Sequence, residues 1–304
     1  MKRLHEYLEK NKAIIYINSV EECIETFSRS GNLSSTFGYF RGHSNSDYAL
    51  ISTLDRFGND EYGQNEKLLI RQFKKSALNF LKSNQLPTTA FEWLALMQHY
   101  GVPTRLLDLT TSPYIALYFA VCDFENKNDG AVWRINPSLL HEGSIIKLQH
   151  TDFPYKLSMH GFHQPELLSE EYFVEIFLSG KYEVCFILEP EKAEQRLYQQ
   201  QGAFLVSSGR GVATDNILAE VMFELINMKS YKYGGGKKKG FWDWNIVKVI
   251  IPSKIKKQLF LQLLDMNINS STLFPDLSGA AKYVTEFVKC SEYIGNRWNL
   301  MKIT

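Results

Sequence analysis

Gln98-His99-Tyr100-Gly101-Val102-Pro103-Thr104-Arg105-Leu106-Leu107-Asp108-Leu109-Thr110-Thr111-Ser112-Pro113 brings a helix end, a tight turn and a new helix start together within sixteen residues. Upstream, Ala90 to about Tyr100 has a helical pattern opened by Thr88 or Thr89, and Gly101 is its natural stop because glycine accepts the left-handed backbone of a helix end. Downstream, Ser112 can cap free amides and Pro113 gives up no hydrogen bond at a first helical position, so a helix runs from Pro113 to about Asp123. Further out, Ala13 to Ile17 reads as a strand, and Asn18 or Ser19 caps a helix that Gly31 ends. Ser35 to Phe40 reads as a strand that delivers Arg41 and Gly42 at its end, and Glu66 to Leu81 has near-helical apolar spacing. Strand patterns then follow at Gly130 to Ile135, Tyr182 to Leu188, Ala203 to Ser207 and Ile246 to Ile251, with helical patterns at Ser253 to Met266 and Asp276 to Glu292. Helices cluster early and strands late, without regular β-α-β alternation. The expectation is an α+β fold, a mostly antiparallel or mixed sheet with helices packed around it.

The 304 residues are 44% hydrophobic, ample for a proper core, and are expected to form one unit. Thirty-four Lys plus Arg against 33 Asp plus Glu leave a formal charge of +1, so electrostatic recognition must be local. Cys23, Cys122, Cys185 and Cys290 are far apart in apolar surroundings and read as reduced and buried. Met1 to Glu9 carries charges and no apolar leader, and no stretch approaches the ~20 apolar residues of a membrane span, which gives a cytoplasmic expectation and no membrane partner. Oligomeric state is not legible.

Several patches carry weaker chemistry. Gly234-Gly235-Gly236-Lys237-Lys238-Lys239-Gly240 is a basic loop flanked by Tyr231, Tyr233, Phe241 and Trp242. It lacks the Ser/Thr and glycine spacing of a P-loop, and reads as a solvated hairpin tip or as a nucleic-acid contact with stacking aromatics. His160-Gly161-Phe162-His163 with Glu166 lacks a third clear ligand, so no metal is expected. There is no Gly-x-Ser-x-Gly elbow.

At the central junction two readings stand. Arg105 and Asp108 can pair, His99 can bond the turn, and Thr110-Thr111-Ser112 can simply cap the next helix. Alternatively Arg41, Arg105 and the amides of a helix start form an anion or phosphate site. His99, with an ordinary pKa of roughly 6.5, also suits proton transfer, which would extend to phosphate chemistry if it is exposed.

Phe40-Arg41-Gly42, Gln98 to Asp108, Thr111-Ser112-Pro113 and Asp129-Gly130-Ala131-Val132-Trp133 resemble the FRG domain family in order and spacing, and the resemblance continues through Gln200-Gln201-Gly202-Ala203-Phe204 and Thr272 to Leu277, covering roughly residues 33–285. It implies a bacterial protein of phage-defence or toxin-antitoxin context. An aromatic-Arg-Gly strand, a Thr-Ser element and a strand opening with Gln also look like the three-part signature of ADP-ribosyltransferases of the Arg-Ser-Glu type. That likeness implies NAD as co-substrate and either ADP-ribose transfer or NAD hydrolysis. It makes Arg41, His99, Ser112 and Gln201 the catalytic candidates, and Arg41, Gly42, Arg105, Asp108, Thr111 and Gln200 the NAD-binding candidates. The sequence departs from that signature where a catalytic Glu is expected and Gln200 or Gln201 stands instead; a neutral amide can orient a ribose hydroxyl but cannot supply the full charge. Glu220 and Glu224, on an apparent amphipathic helix, are either cleft carboxylates or ordinary exposed ones. The other reading is a non-catalytic module that binds a phosphorylated small molecule or RNA.

Overall fold

The computed structural model describes residues 2–28, 38–57, 63–158, 164–191, 194–227 and 246–290. In chain order the elements are α1 (Lys2–Lys10), β1 (Ile14–Tyr16), α2 (Val20–Phe27), β2 (Tyr39–His43), α3 (Thr53–Phe57), α4 (Gln64–Ala77), α5 (Ala90–His99), β3 (Leu106–Thr110), α6 (Pro113–Val121), β4 (Gly130–Ile135), α7 (Pro137–Gln149), α8 (Glu170–Phe173), β5 (Cys185–Leu188), α9 (Gln195–Gln199), β6 (Gly202–Ser207), α10 (Thr214–Asn227), β7 (Ile246–Ile251), α11 (Ser253–Asp265), α12 (Ser270–Leu273) and α13 (Leu277–Lys289). The seven strands form one mixed sheet in the order β1-β7-β4-β2-β3-β6-β5, in which β1 and β7 are parallel and every other pair is antiparallel. The fold is α+β, as the order of helical and strand patterns predicts.

Local signals act where they are placed. Ser19 accepts from the Glu22 amide, Thr89 and Glu92 form a capping box, and Ser112 accepts from the Ile115 amide with Pro113 behind it. Gly101 has φ +78°, the left-handed conformation that ends α5.

Several features differ from the sequence reading. Leu106–Thr110 is a strand, where only a turn was expected between two helices; its apolar Leu106, Leu107 and Leu109 pair along β6 from Leu106↔Val206 to Thr110↔Gly202. Arg41 is mid-strand, because β2 continues to His43 along the β4 ladder, from Tyr39↔Ile135 to His43↔Ala131. Pro137–Gln149 is a helix that periodicity hides, since it is buried almost all round, down to His141, Gly143 and Ser144. The Glu66 to Leu81 pattern is helical only from Gln64 to Ala77. Gly31, the His160/His163 pair and the loop from Gly234 to Gly240 lie outside the described residues.

One sheet face is covered along its length by α1, α7 and α10, which bury Tyr39, Trp133, Leu107, Leu109, Leu205 and Ile187. The other face is divided. α2, α6 and α11 pack on Phe40, Val132, Val247 and Val249, whereas α5 and α8 pack on Leu106, Phe186, Phe204 and Val206. The division falls at the junction of β2 with β3. The C-terminal helices are anchored by a buried carboxylate: Glu286 accepts from Tyr118 Oη and from Ser270 Oγ, each at 2.7 Å.

Gly42 has a steric reason to be glycine. A Cβ there would lie 1.8 Å from the Ala116 carbonyl oxygen and 2.8 Å from the Ala120 nitrogen, both of α6 backbone. Gly42→Ala must push β2 and α6 apart, and we expect it to cost about 3 kcal/mol or more in chemical denaturation, at the top of the usual range for overpacking.

Candidate functional site

The β2–β3 ladder consists of a single pair, Phe40↔Thr110, whereas β2–β4 and β3–β6 each run for five. Main-chain pairing therefore stops where the strands pass Arg41 and Asp108. Side chains at alternate strand positions share a face, so Arg41 points away from α6, which Gly42 faces. Its Nη1 donates to the Asp108 carbonyl at 2.6 Å and lies 3.9 Å from Asp108 Oδ2. A guanidinium thus closes a gap that backbone amides leave open.

Arg41 Nε donates to His43 Nε2 at 3.0 Å, which places the imidazole proton on Nδ1. Burial first, and then the Arg41 charge, push the His43 pKa down to about 3. The same burial acts to lower the pKa of Arg41 itself, opposed by Asp108. Asp108 is held from α5: Gln98 Nε2 donates to its two carboxylate oxygens at 3.1 and 3.2 Å, while Gln98 Oε1 accepts from Thr104 Oγ1 at 2.6 Å. Its side chain is still 52% exposed.

Asp108 opens onto a pocket of about 270 Å³ between α5 and α9, above β3 and β6. Gln98, His99, Glu194, Arg196 and Gln200 supply its polar groups, and Leu86, Pro87, Ala95, Leu96, Leu197 and Phe204 its apolar wall. His99 Nδ1 is 2.9 Å from Glu194 Oε2, so the imidazole has an oriented carboxylate partner inside the pocket. Arg196 lies over the Phe274 ring, 4.8 Å from its centroid.

At the other end of β3, the Thr-Thr-Ser and Gln-Gln segments meet. Thr110 Oγ1 donates to the Gln200 carbonyl at 2.7 Å and accepts from the Ser112 amide at 3.0 Å. Thr111 N donates to the Gln201 carbonyl at 3.0 Å, and Thr111 Oγ1 to Gln201 Oε1 at 3.2 Å. Gln201 has φ +46°, a conformation disfavoured for a residue with a side chain. Gln200 Nε2 donates to the Leu273 carbonyl at 3.1 Å, tying β6 to α12.

The structure brings Asp108, His99 and Gln200 into one pocket, sets Arg41 behind Asp108, and joins Thr110 and Thr111 to Gln200 and Gln201, while the Ser112 amide bonds Thr110 and its hydroxyl accepts from the Ile115 amide as the cap of α6. It places Arg105 elsewhere. That guanidinium is 5% exposed, donating from Nε to Glu66 Oε1 at 2.7 Å, from Nη2 to Glu66 Oε2, and from Nη1 to the Ser207 carbonyl at 2.7 Å. Its partner is Glu66 of α4 rather than Asp108, and its charge is spent inside the protein. Glu220 and Glu224 belong to α10 on the other sheet face, paired with Arg3 and with His150, the latter at 3.5 Å. Sequence reading passed over His43, although a strand puts residues i and i+2 on one face. It also missed Glu194, for which no local pattern gives a signal.

The FRG domain model matches residues 37–129. No curated protein and no solved structure matches the chain. No helix among the described residues is long and apolar enough to cross a membrane.

Removing Glu66 leaves a buried, uncompensated guanidinium, so Glu66→Ala is expected to cost about 3–5 kcal/mol in denaturant unfolding. His43 gives a pH dependence of known sign. The unfolded chain binds its proton near pH 6.5 and the folded chain only near 3, so stability present above about pH 6.5 is lost as pH falls toward 3. The limiting slope is about 1.4 kcal/mol per pH unit for this residue, and His43→Asn should remove that increment from a stability-versus-pH series.

Proposed function

Because this chain carries an FRG domain, we propose that it is an ADP-ribosyltransferase-like enzyme that binds NAD at the β2–β3 junction and transfers ADP-ribose or hydrolyses NAD. One observation carries the reading: the three pieces of the signature stand on three neighbouring strands, Arg41 on β2, Thr111-Ser112 at the end of β3, and Gln200-Gln201 at the start of β6. Three pieces spread over 160 residues of sequence would not need to meet if each were merely a local cap or turn.

Cleavage breaks the ribose C1′–nitrogen bond. The electron pair leaves with nicotinamide, positive charge builds on the ribose, and water or an acceptor hydroxyl, amine or guanidinium adds and loses a proton. Arg41 holds a phosphate or ribose oxygen; its contacts to the described residues use Nε and Nη1, which leaves Nη2 for a ligand. Ser112 and Thr111 brace the ribose side, and Gln201 offers an amide where a Glu would stand. Asp108, whose Oδ2 lies 3.9 Å from Arg41 Nη1, is a negative charge fixed by Gln98 before substrate arrives, which is the preorganisation that lowers a charge-building barrier. In this reading His99, with Glu194 Oε2 2.9 Å from its Nδ1, takes the acceptor's proton. NAD consumption of this kind fits a bacterial phage-defence or toxin setting.

The test is nicotinamide release from NAD by purified protein, with water, lysate or nucleic acid as acceptor. Wild type should release nicotinamide, and Arg41→Lys, which keeps the charge and loses the fork, should slow release roughly a hundredfold with the fold intact by circular dichroism. No release with any acceptor, together with steeply salt-dependent RNA or phosphate binding, would establish the non-catalytic module instead.

A further inference from the structure

A second cavity, of about 350 Å³, lies under α1 on the face of the sheet that Arg41 shares with Trp133. Its wall includes Leu8, Tyr48, Leu50, Trp133, Asp215 and Lys248. The volume is at the small end of the range for bound small molecules.

Trp133 is 3% exposed, and its indole Nε1–H has no acceptor among the described residues. A buried donor left without a partner is destabilising, and this one belongs to a side chain that lines a space large enough to hold an acceptor. Lys248 Nζ sits 4.9 Å from the Trp133 ring centroid and donates to the Ser46 carbonyl at 2.6 Å, so the cation is already placed over the indole. Asp215, 2% exposed, brings a buried carboxylate to the same wall. The cavity therefore combines an unused in-plane donor, a carboxylate acceptor and apolar walls from Leu8 and Leu50.

We propose that this cavity binds a planar heteroaromatic base, one that offers a ring nitrogen or carbonyl oxygen to Trp133 Nε1–H and an amino N–H to Asp215, with its faces against the leucines. A simple hydrocarbon would leave the indole donor unmet, and a free anion would face Asp215. The shared chemistry belongs to free nucleobases, to bases carried on a sugar, and to pyridine carboxamides. Binding of such a base requires no reaction at Arg41.

Isothermal titration of the full chain with adenine, adenosine and nicotinamide separates these sources. We expect saturable one-to-one binding of at least one of them. Adenine without adenosine would identify a free base, and nicotinamide alone a carboxamide. Trp133→Phe keeps an aromatic ring and removes the donor; it should weaken binding about tenfold or more, and cooperative unfolding of the unliganded variant checks that the fold survives the smaller ring. Asp215→Asn should weaken binding as well, and Arg41→Lys should not change it. The proposal is overturned if none of the three binds, or if binding is unchanged in Trp133→Phe. Binding that instead falls with Arg41→Lys would assign the affinity to the β2–β3 junction and overturn it equally.

Discussion

A sheet whose central ladder is one residue pair long cannot be held shut by main-chain hydrogen bonds alone. Here the closure falls to Arg41, whose guanidinium reaches the Asp108 carbonyl just past the Phe40↔Thr110 bridge. The arrangement constrains everything around it. Gly42 must lack a side chain so that α6 can press on β2 from the other face, and Asp108 must be steadied from α5 because no strand neighbour on the β2 side does so. The helices on the divided face follow the same line, α6 with its partners on one side and α5 on the other.

The parts of this architecture that depend on local chemistry were legible in the sequence. Thr89, Gly101 and Ser112-Pro113 mark helix boundaries through hydrogen bonds and backbone preferences that span only a few residues, and the structure places those boundaries within a residue of the expectation. β3 was not legible because its five residues lie between strong helix signals, and an apolar Leu-Leu-x-Leu run takes its strand identity from β6, nearly a hundred residues later. α7 escaped because a helix buried on all sides has no polar stripe.

The same distinction governs the site. Arg41, Asp108, His99 and the Gln-Gln pair were marked by their concentration of chemistry, and the structure brings most of them close. Arg105 looked equally promising, since nothing in its neighbours announces that Glu66, thirty-nine residues upstream, will meet it in the interior. A charged residue in a motif does not reveal whether it faces a ligand or a counter-charge. His43 and Glu194 show the converse, one hidden by lying beyond the expected end of its strand and one by lying in no motif at all.

The matched segment, residues 37–129, contributes only β2 and β3 of the seven strands, and these two touch through one bridge. β4 and β6, which flank them with full ladders, come from later in the chain. The bond from Gln200 to the Leu273 carbonyl carries this further, because it joins β6 to a segment made seventy-three residues afterwards. During synthesis on the ribosome, a nascent chain that has already emerged through β6 still lacks that anchor. Gln200 is tied down only once α12 has left the exit tunnel, so a chain stalled or cleaved before that point would present the signature residues with this side chain unanchored.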